Sequence, residues 1–159
     1  MKKKIIITGG LGYIGTELCK LYSGVSWHHQ VIVFDNRFIS ERVNQLRKWN
    51  IDFIQGDILD KELVKKIFLN ADVIHHLAGI TQVPRTQSEA SEAKDKIIRE
   101  VAVQGTQNIL DTMHNESKII FPSTHVVYEG IERVKTDLNE EDETKPVLSY
   151  SSSKAINEK

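Results

Sequence analysis

The stretch Ile5-Ile6-Ile7-Thr8-Gly9-Gly10-Leu11-Gly12-Tyr13-Ile14-Gly15 constrains the fold of this chain more than any other. Three β-branched residues in a row read as a strand buried on both faces, as in a parallel sheet. Four glycines within seven positions then break it, and Thr16 to Leu21 resumes at helical spacing. Strand, glycine-rich turn and helix together form the context that a phosphate-binding loop requires. One glycine allows the tight turn, a second lets the backbone approach a pyrophosphate, and a third lets the helix pack close to the strand. The ligand's charge then meets free N–H groups and the positive end of the helix dipole. Two registers fit: Gly10, Gly12 and Gly15 as G-x-G-x-x-G, or Gly9, Gly12 and Gly15 as G-x-x-G-x-x-G. A glycine-rich turn without a ligand is the plainer alternative.

The second apolar run, Gln30-Val31-Ile32-Val33-Phe34-Asp35, ends in a carboxylate twenty residues past Gly15. A ribose diol needs an acceptor at the tip of this strand, and Asp35 stands there. Its charge would repel a 2′-phosphate, which favours NAD over NADP. Arg37 pulls the other way, because a nearby arginine accommodates that phosphate. A turn-forming aspartate paired with Asn36 is the simpler reading of the same residues.

Strands and helices alternate beyond this point. Ser40–Asn50 reads as a helix with Val43, Leu46 and Trp49 on one stripe, and Ile51–Gln55 as a short strand. Asp60 caps a helix whose apolar positions are Leu63, Val64, Ile67 and Phe68. Asp72–Gly79 is a strand ending in small residues, which leave room for a ligand across the sheet. Thr81–Gln87 reads as a loop, and Ser88–His114 as one long helix with Ile98, Ala102, Gly105, Ile109 and Met113 along one side. Lys118–Phe121 is a fifth strand, Asp137–Lys145 a polar surface loop, and Tyr150–Lys159 a last helix. The pattern predicts an α/β fold, a doubly wound parallel sheet with its ligand crevice at the carboxyl ends of the strands.

Composition narrows the function. The 159 residues are 40% hydrophobic and 27% charged, enough for a normal core. With a net charge of -1 and no basic tract beyond Lys2-Lys3-Lys4, neither nucleic acid nor a membrane surface is expected as the main partner. A single cysteine, Cys19, excludes an internal disulfide and suits a cytoplasmic setting; it reads as a small buried apolar residue. His28-His29 and His75-His76 lack the spacing of metal ligands, so no metal site is expected. Trp27 and Trp49 read as packing residues.

The end of the chain carries the chemistry. Tyr150 and Lys154 lie four residues apart, on one face of a helix. A free phenol titrates near pH 10 and is a poor base at neutral pH. A neighbouring ammonium favours the phenolate and makes Tyr150 usable for proton transfer. Thr124 ends the fifth strand, where its hydroxyl can reach the same ligand.

Taken together these segments resemble the extended short-chain dehydrogenases/reductases, in particular the NAD-dependent epimerase/dehydratase group acting on nucleotide sugars. Thr8–Gly15 is similar to the family's cofactor loop, a match in which Gly9, Gly12, Tyr13, Ile14 and Gly15 are the loop positions. Asp35-Asn36 resembles its ribose site and Asp57-Ile58 its adenine-contacting pair. Leu77, Ala78 and Gly79, following His76, resemble the segment beside the nicotinamide. Ser123–Tyr128 resembles the segment carrying the catalytic Ser/Thr, which falls on Thr124, while Tyr150 and Lys154 match the catalytic pair.

The resemblance implies hydride transfer at a sugar carbon. Tyr150 would act as acid/base, Lys154 would hold the nicotinamide ribose, and Thr124 would hydrogen-bond the substrate oxygen. Dehydratases of the group place acidic or polar catalytic residues directly after the threonine; His125 and Val126 stand there instead, which points to an epimerase or dehydrogenase. His125 is the one histidine expected near the substrate. Ala102 replaces an asparagine that the family commonly carries three residues before the glycine of the long helix. The resemblance also implies a homodimer through the long and final helices. Family members continue past the Tyr-x-x-x-Lys helix into a region that grips the sugar. Residues 1–159 are therefore expected to form an NAD-binding Rossmann-like domain with the C-terminal substrate region missing. The alternative is a non-catalytic NAD-binding module, or a fragment that needs a partner chain.

Overall fold

The computed structural model describes residues 2–80, 83–84, 86–132 and 137–159. Thr81, Gln82 and Arg85 of the expected loop lie outside the described residues. The triple isoleucine forms the middle of strand β1 (Lys4–Thr8), and helix α1 (Tyr13–Tyr22) follows the glycines. The chain continues through β2 (Gln30–Asp35), α2 (Ser40–Lys48), β3 (Asp52–Gln55), α3 (Lys61–Phe68) and β4 (Val73–His76). After α4 (Glu92–Arg99) and α5 (Gly105–Leu110) come β5 (Lys118–Ile120) and α6 (Ser149–Asn157). Among the described residues the four strand pairings are parallel and the order is β3-β2-β1-β4-β5. The chain therefore leaves β1 toward one edge and returns beside it as β4. In sheets of this topology the ligand crevice lies at that reversal, outside the carboxyl ends of β1 and β4.

The chain divides into two compact units. One comprises the described residues up to Gly79 together with Gly105–Pro122; the other comprises those of Ile80–Gln104 and Ser123–Lys159. In the first, strand alternation sends side chains to opposite faces. Ile5, Ile7, Val31 and Val33 join Leu11, Cys19, Val43 and Leu46 in one core cluster, so Cys19 is the buried apolar residue expected of it. The alternate residues Ile6, Ile32 and Phe34 are also buried, and the Phe34 ring meets Phe68 of α3 edge-on at 5.4 Å. Burial on both faces explains the unbroken apolar runs. Phe34→Ala should lower unfolding free energy by about 3–5 kcal/mol, read from urea denaturation.

Two expectations are corrected. Ser88–His114 is not one helix. A 3₁₀ turn spans Gln87–Glu89, Ser91 caps α4 through its hydroxyl, and a π turn at Glu100–Gln104 precedes α5. A π turn inserts a residue into the helical repeat and re-phases the side chains. The apolar period spans it without a visible break, because Ile98 and Ile109 are each buried, in different units. Trp27 is the second correction. It lies in the turn before β2 with 70% of its surface exposed, while Trp49 does pack against the core.

In the second unit α4, the π turn and α6 pack together, and Asn157 Nδ2 donates to the Ala102 carbonyl at 2.9 Å.

Candidate active site

The glycine loop is closed by contacts that only glycine permits. Gly9 has φ +63°, and a Cβ there would lie 2.8 Å from the Ala78 nitrogen. A Cβ on Gly15 would lie 2.6 Å from Gly9 O and from Gly10 Cα. The loop, the first turn of α1 and the Leu77–Gly79 segment after β4 are thereby drawn together. Gly12 is the N-cap of α1, and its first turn holds no acidic side chain to offset the positive helix end. Tyr13 and Ile14 open this helix with 84% and 62% of their surfaces exposed. Beyond Gly79 there is space: a Cβ built on it would meet nothing within 4 Å.

Asp35 ends β2 buried, and both its oxygens are engaged. Oδ2 accepts from the Leu11 amide at 3.0 Å and Oδ1 from the Arg37 amide at 3.0 Å, while the Arg37 guanidinium donates to both. Arg42 braces the same loop by donating to the Leu11 carbonyl. Asp35 is thus more than a strand-tip acceptor, since it ties the second strand to the glycine loop. Asn36 is exposed, and its carbonyl accepts from Gln55. Asp57 accepts from Leu59 N in a turn, while Ile58 is buried and its carbonyl accepts from Asn108 Nδ2 at 2.9 Å.

A buried polar chain, not foreseen from the sequence, supports the crevice. Thr8 and His76 are neighbours in register across β1 and β4. Thr8 Oγ1 lies 2.9 Å from His76 Nδ1 and accepts from the Ala78 amide, while His76 Nε2 lies 2.9 Å from Thr106 Oγ1. Polar residues at paired positions in otherwise apolar strands were the available signal. On the other sheet face His75 Nε2 meets the Tyr22 hydroxyl at 2.7 Å, and burial pushes the His75 imidazole down. Both histidines are therefore held by protein partners. Among the described residues no group of three His, Cys, Asp or Glu side chains is placed to hold a metal ion.

In the second unit, a cavity of about 220 Å³ is lined by Thr124, Val126, Glu129, Leu148, Tyr150 and Ser151, among others. Thr124 caps a 3₁₀ turn (His125–Tyr128), its oxygen accepting from Val126 N at 3.4 Å. That leaves the hydroxyl proton to donate elsewhere. Lys154 Nζ stands 5.9 Å from the centre of the Tyr150 ring. Burial pushes the Lys154 ammonium below the usual lysine range, and Glu158 partly opposes this. His125 is exposed and does not line the cavity. Glu129 had no motif to announce it. Burial pushes its carboxyl up, but hydrogen bonds from Ser151, Leu148 and Val147 outweigh that and hold it below the usual range.

Fold and site together define a doubly wound α/β protein with a dinucleotide-type glycine loop and a Tyr-x-x-x-Lys helix, the makings of the short-chain dehydrogenase/reductase class. The chain belongs to the 3-beta hydroxysteroid dehydrogenase/isomerase family, which it matches over residues 6–159. It is 30% identical over 170 residues to the dTDP-D-glucose 4,6-dehydratase of Dictyostelium discoideum, a match covering 96% of this chain and 38% of that protein. It is 32% identical over 170 residues to the UDP-glucose 4-epimerase of Neisseria meningitidis serogroup C, covering 99% of this chain and 47% of the relative. The structure of UDP-glucose 4-epimerase from Bifidobacterium longum in complex with NAD+ and UDP superposes with a TM-score of 0.80 at 26% identity, over 98% of this chain and 47% of that one. The chain thus spans less than half the length of these relatives. No helix among the described residues is long and apolar enough to cross a membrane.

Proposed function

We propose that this chain is the cofactor-binding and proton-transfer part of an NAD-dependent oxidoreductase of nucleotide sugars, of epimerase or dehydrogenase type. The observation that carries the reading is the joint presence of Thr124 and Tyr150 on one cavity, with Lys154 beside the Tyr150 ring. The reading of the loop as a dinucleotide site is supported by glycines that side chains could not replace at Gly9 and Gly15, by the helix start at Gly12, whose first turn holds no acidic side chain, and by the open space at Gly79. Gly9, Gly12 and Gly15 with the Tyr13 and Ile14 amides would hold the pyrophosphate, and Asp35 with Asn36 the ribose. Asp57 and Ile58 would border the adenine, and Leu77, Ala78 and Gly79 the nicotinamide half. When bound, NAD supplies a two-electron acceptor.

The residues of this chain then handle the proton. Tyr150 takes it from the sugar hydroxyl as that carbon is oxidised, and returns it when the carbonyl is reduced. Lys154 sets a positive charge beside the Tyr150 ring and, with Tyr150, would hold the nicotinamide ribose. Thr124 donates to the reacting oxygen and fixes its orientation. Mixing the full-length protein with NAD and a panel of UDP-, dTDP- and CDP-sugars, and following the near-ultraviolet absorbance of reduced cofactor, tests this reading. Reduction or epimerised product with at least one sugar is expected. NAD binding without turnover on any of them would favour the non-catalytic module, a reading that Ala102 supports by offering no side-chain hydrogen bond.

The Asp35 carboxylate would disfavour a 2′-phosphate, and Arg37 is held against it rather than free. Asp35→Ser should therefore raise the affinity for NADP relative to NAD by about tenfold or more, because it removes a like-charge contact and releases Arg37. Calorimetric titration with both cofactors measures the ratio.

A further inference from the structure

We propose that Glu129 is the positioning residue of the catalytic helix, a carboxylate clamp that keeps Tyr150 on the cavity beside Thr124. This rests on the assignment of Tyr150 given above. Glu129 Oε1 accepts from the amides of Val147 at 2.8 Å and Leu148 at 2.7 Å, and from the Ser151 hydroxyl. Those donors lie on both sides of Tyr150 at the start of α6. The first amides of a helix have no partner within it, and no residue of α6's first turn is acidic. A carboxylate from 18 to 19 residues away satisfies one of them, the N-cap amide of Leu148, together with the Val147 amide just before it, and stands at the positive helix end, where negative charge is favoured.

The clamp also fixes direction. Ser151 Oγ is held between Glu129 and the Leu148 backbone, taking the Leu148 amide at 3.2 Å. This fixes the chain at Leu148, two residues before Tyr150, and at Ser151, one residue after it. The Glu129 side of the clamp is itself anchored, because the adjoining Gly130 amide donates to the Lys145 carbonyl at 2.8 Å and Lys145 N to the Val127 carbonyl at 2.8 Å. The strand-end segment carrying Thr124 and the helix carrying Tyr150 are therefore coupled through one carboxylate. Proton transfer needs the two hydroxyls on a common substrate oxygen, so loosening this coupling acts on the chemical step more than on binding.

The test compares Glu129→Ala, Glu129→Gln and wild type in the full-length protein. Glu129→Ala should lower kcat for cofactor reduction by about 100-fold, with KM and NAD affinity within about threefold of wild type. Glu129→Gln keeps an oxygen acceptor for the two amides and should restore kcat to within about fivefold. Amide hydrogen exchange gives a readout independent of turnover: in Glu129→Ala the Val147–Ser152 amides should exchange at least about tenfold faster, while β1 and β2 are unchanged. Should wild type itself reduce no cofactor, the assignment of Tyr150 fails and exchange alone decides the clamp. Unchanged exchange at Val147–Ser152 would overturn it. So would unchanged kcat in Glu129→Ala, or a loss that Glu129→Gln fails to rescue.

Discussion

Tyr150→Phe should abolish turnover of the full-length protein while leaving NAD binding nearly intact. The substitution removes one oxygen and one titratable proton from the cavity wall and keeps the ring that Lys154 faces. General acid–base contributions run to about 10²–10⁴-fold, and a loss of about 10³-fold or more in kcat is expected here, where a single group both takes and returns the proton. NAD affinity should stay within about threefold, because the pyrophosphate loop and Lys154 are untouched and only one of the contacts that would hold the nicotinamide ribose is lost. Steady-state kinetics beside calorimetric titration separate the two effects. Undiminished turnover would remove Tyr150 from the mechanism.

Gly15→Ala should do the reverse, taking away cofactor binding through the backbone alone. The added methyl would sit 2.6 Å from Gly9 O and Gly10 Cα, which are backbone atoms with no rotamer to yield. The loop must open or α1 must move off β1. Overpacking of this kind costs about 1–3 kcal/mol of stability. It would also displace the Gly12–Gly15 amides from a pyrophosphate, so NAD affinity should fall by about 100-fold or more. Gly24→Ala is the control, since its Cβ would find only the Leu21 carbonyl oxygen, at 3.9 Å. Thermal unfolding and NAD titration of both variants measure the contrast.

What could be read from the sequence follows from how local each signal is. The Ile5–Gly15 and Gln30–Asp35 segments carry their own instructions, because strand, turn and helix start are written within a few residues of each other. Both glycine registers proved to describe one tightly packed loop, with Gly9 and Gly10 each hemmed in by neighbours. The π turn at Glu100–Gln104 stayed hidden because one extra residue scarcely disturbs an apolar period read over a long window. Trp27 is not a packing residue because it sits in a turn, flanked by Gly24, Ser26 and His28. The Thr8–His76–Thr106 chain and the Glu129 clamp depend on residues 68, 30 or 18 positions apart meeting in space, which no local pattern reports. The four-residue spacing of Tyr150 and Lys154 and the strand-end place of Thr124 are local signals that the family resemblance reinforces, whereas Glu129 accepts from both sides of Tyr150 through contacts that exist only in the fold.

The most direct test of the central proposal, that the β1–α1 loop holds NAD and that Tyr150 is the acid/base, is amide hydrogen exchange of the full-length protein with and without NAD. The account predicts slowed exchange at Gly9–Thr16, Asn36, Asp57-Ile58 and Leu77–Gly79, together with the Tyr150–Lys154 turn. Protection confined to other segments, or none at saturating NAD, would contradict it.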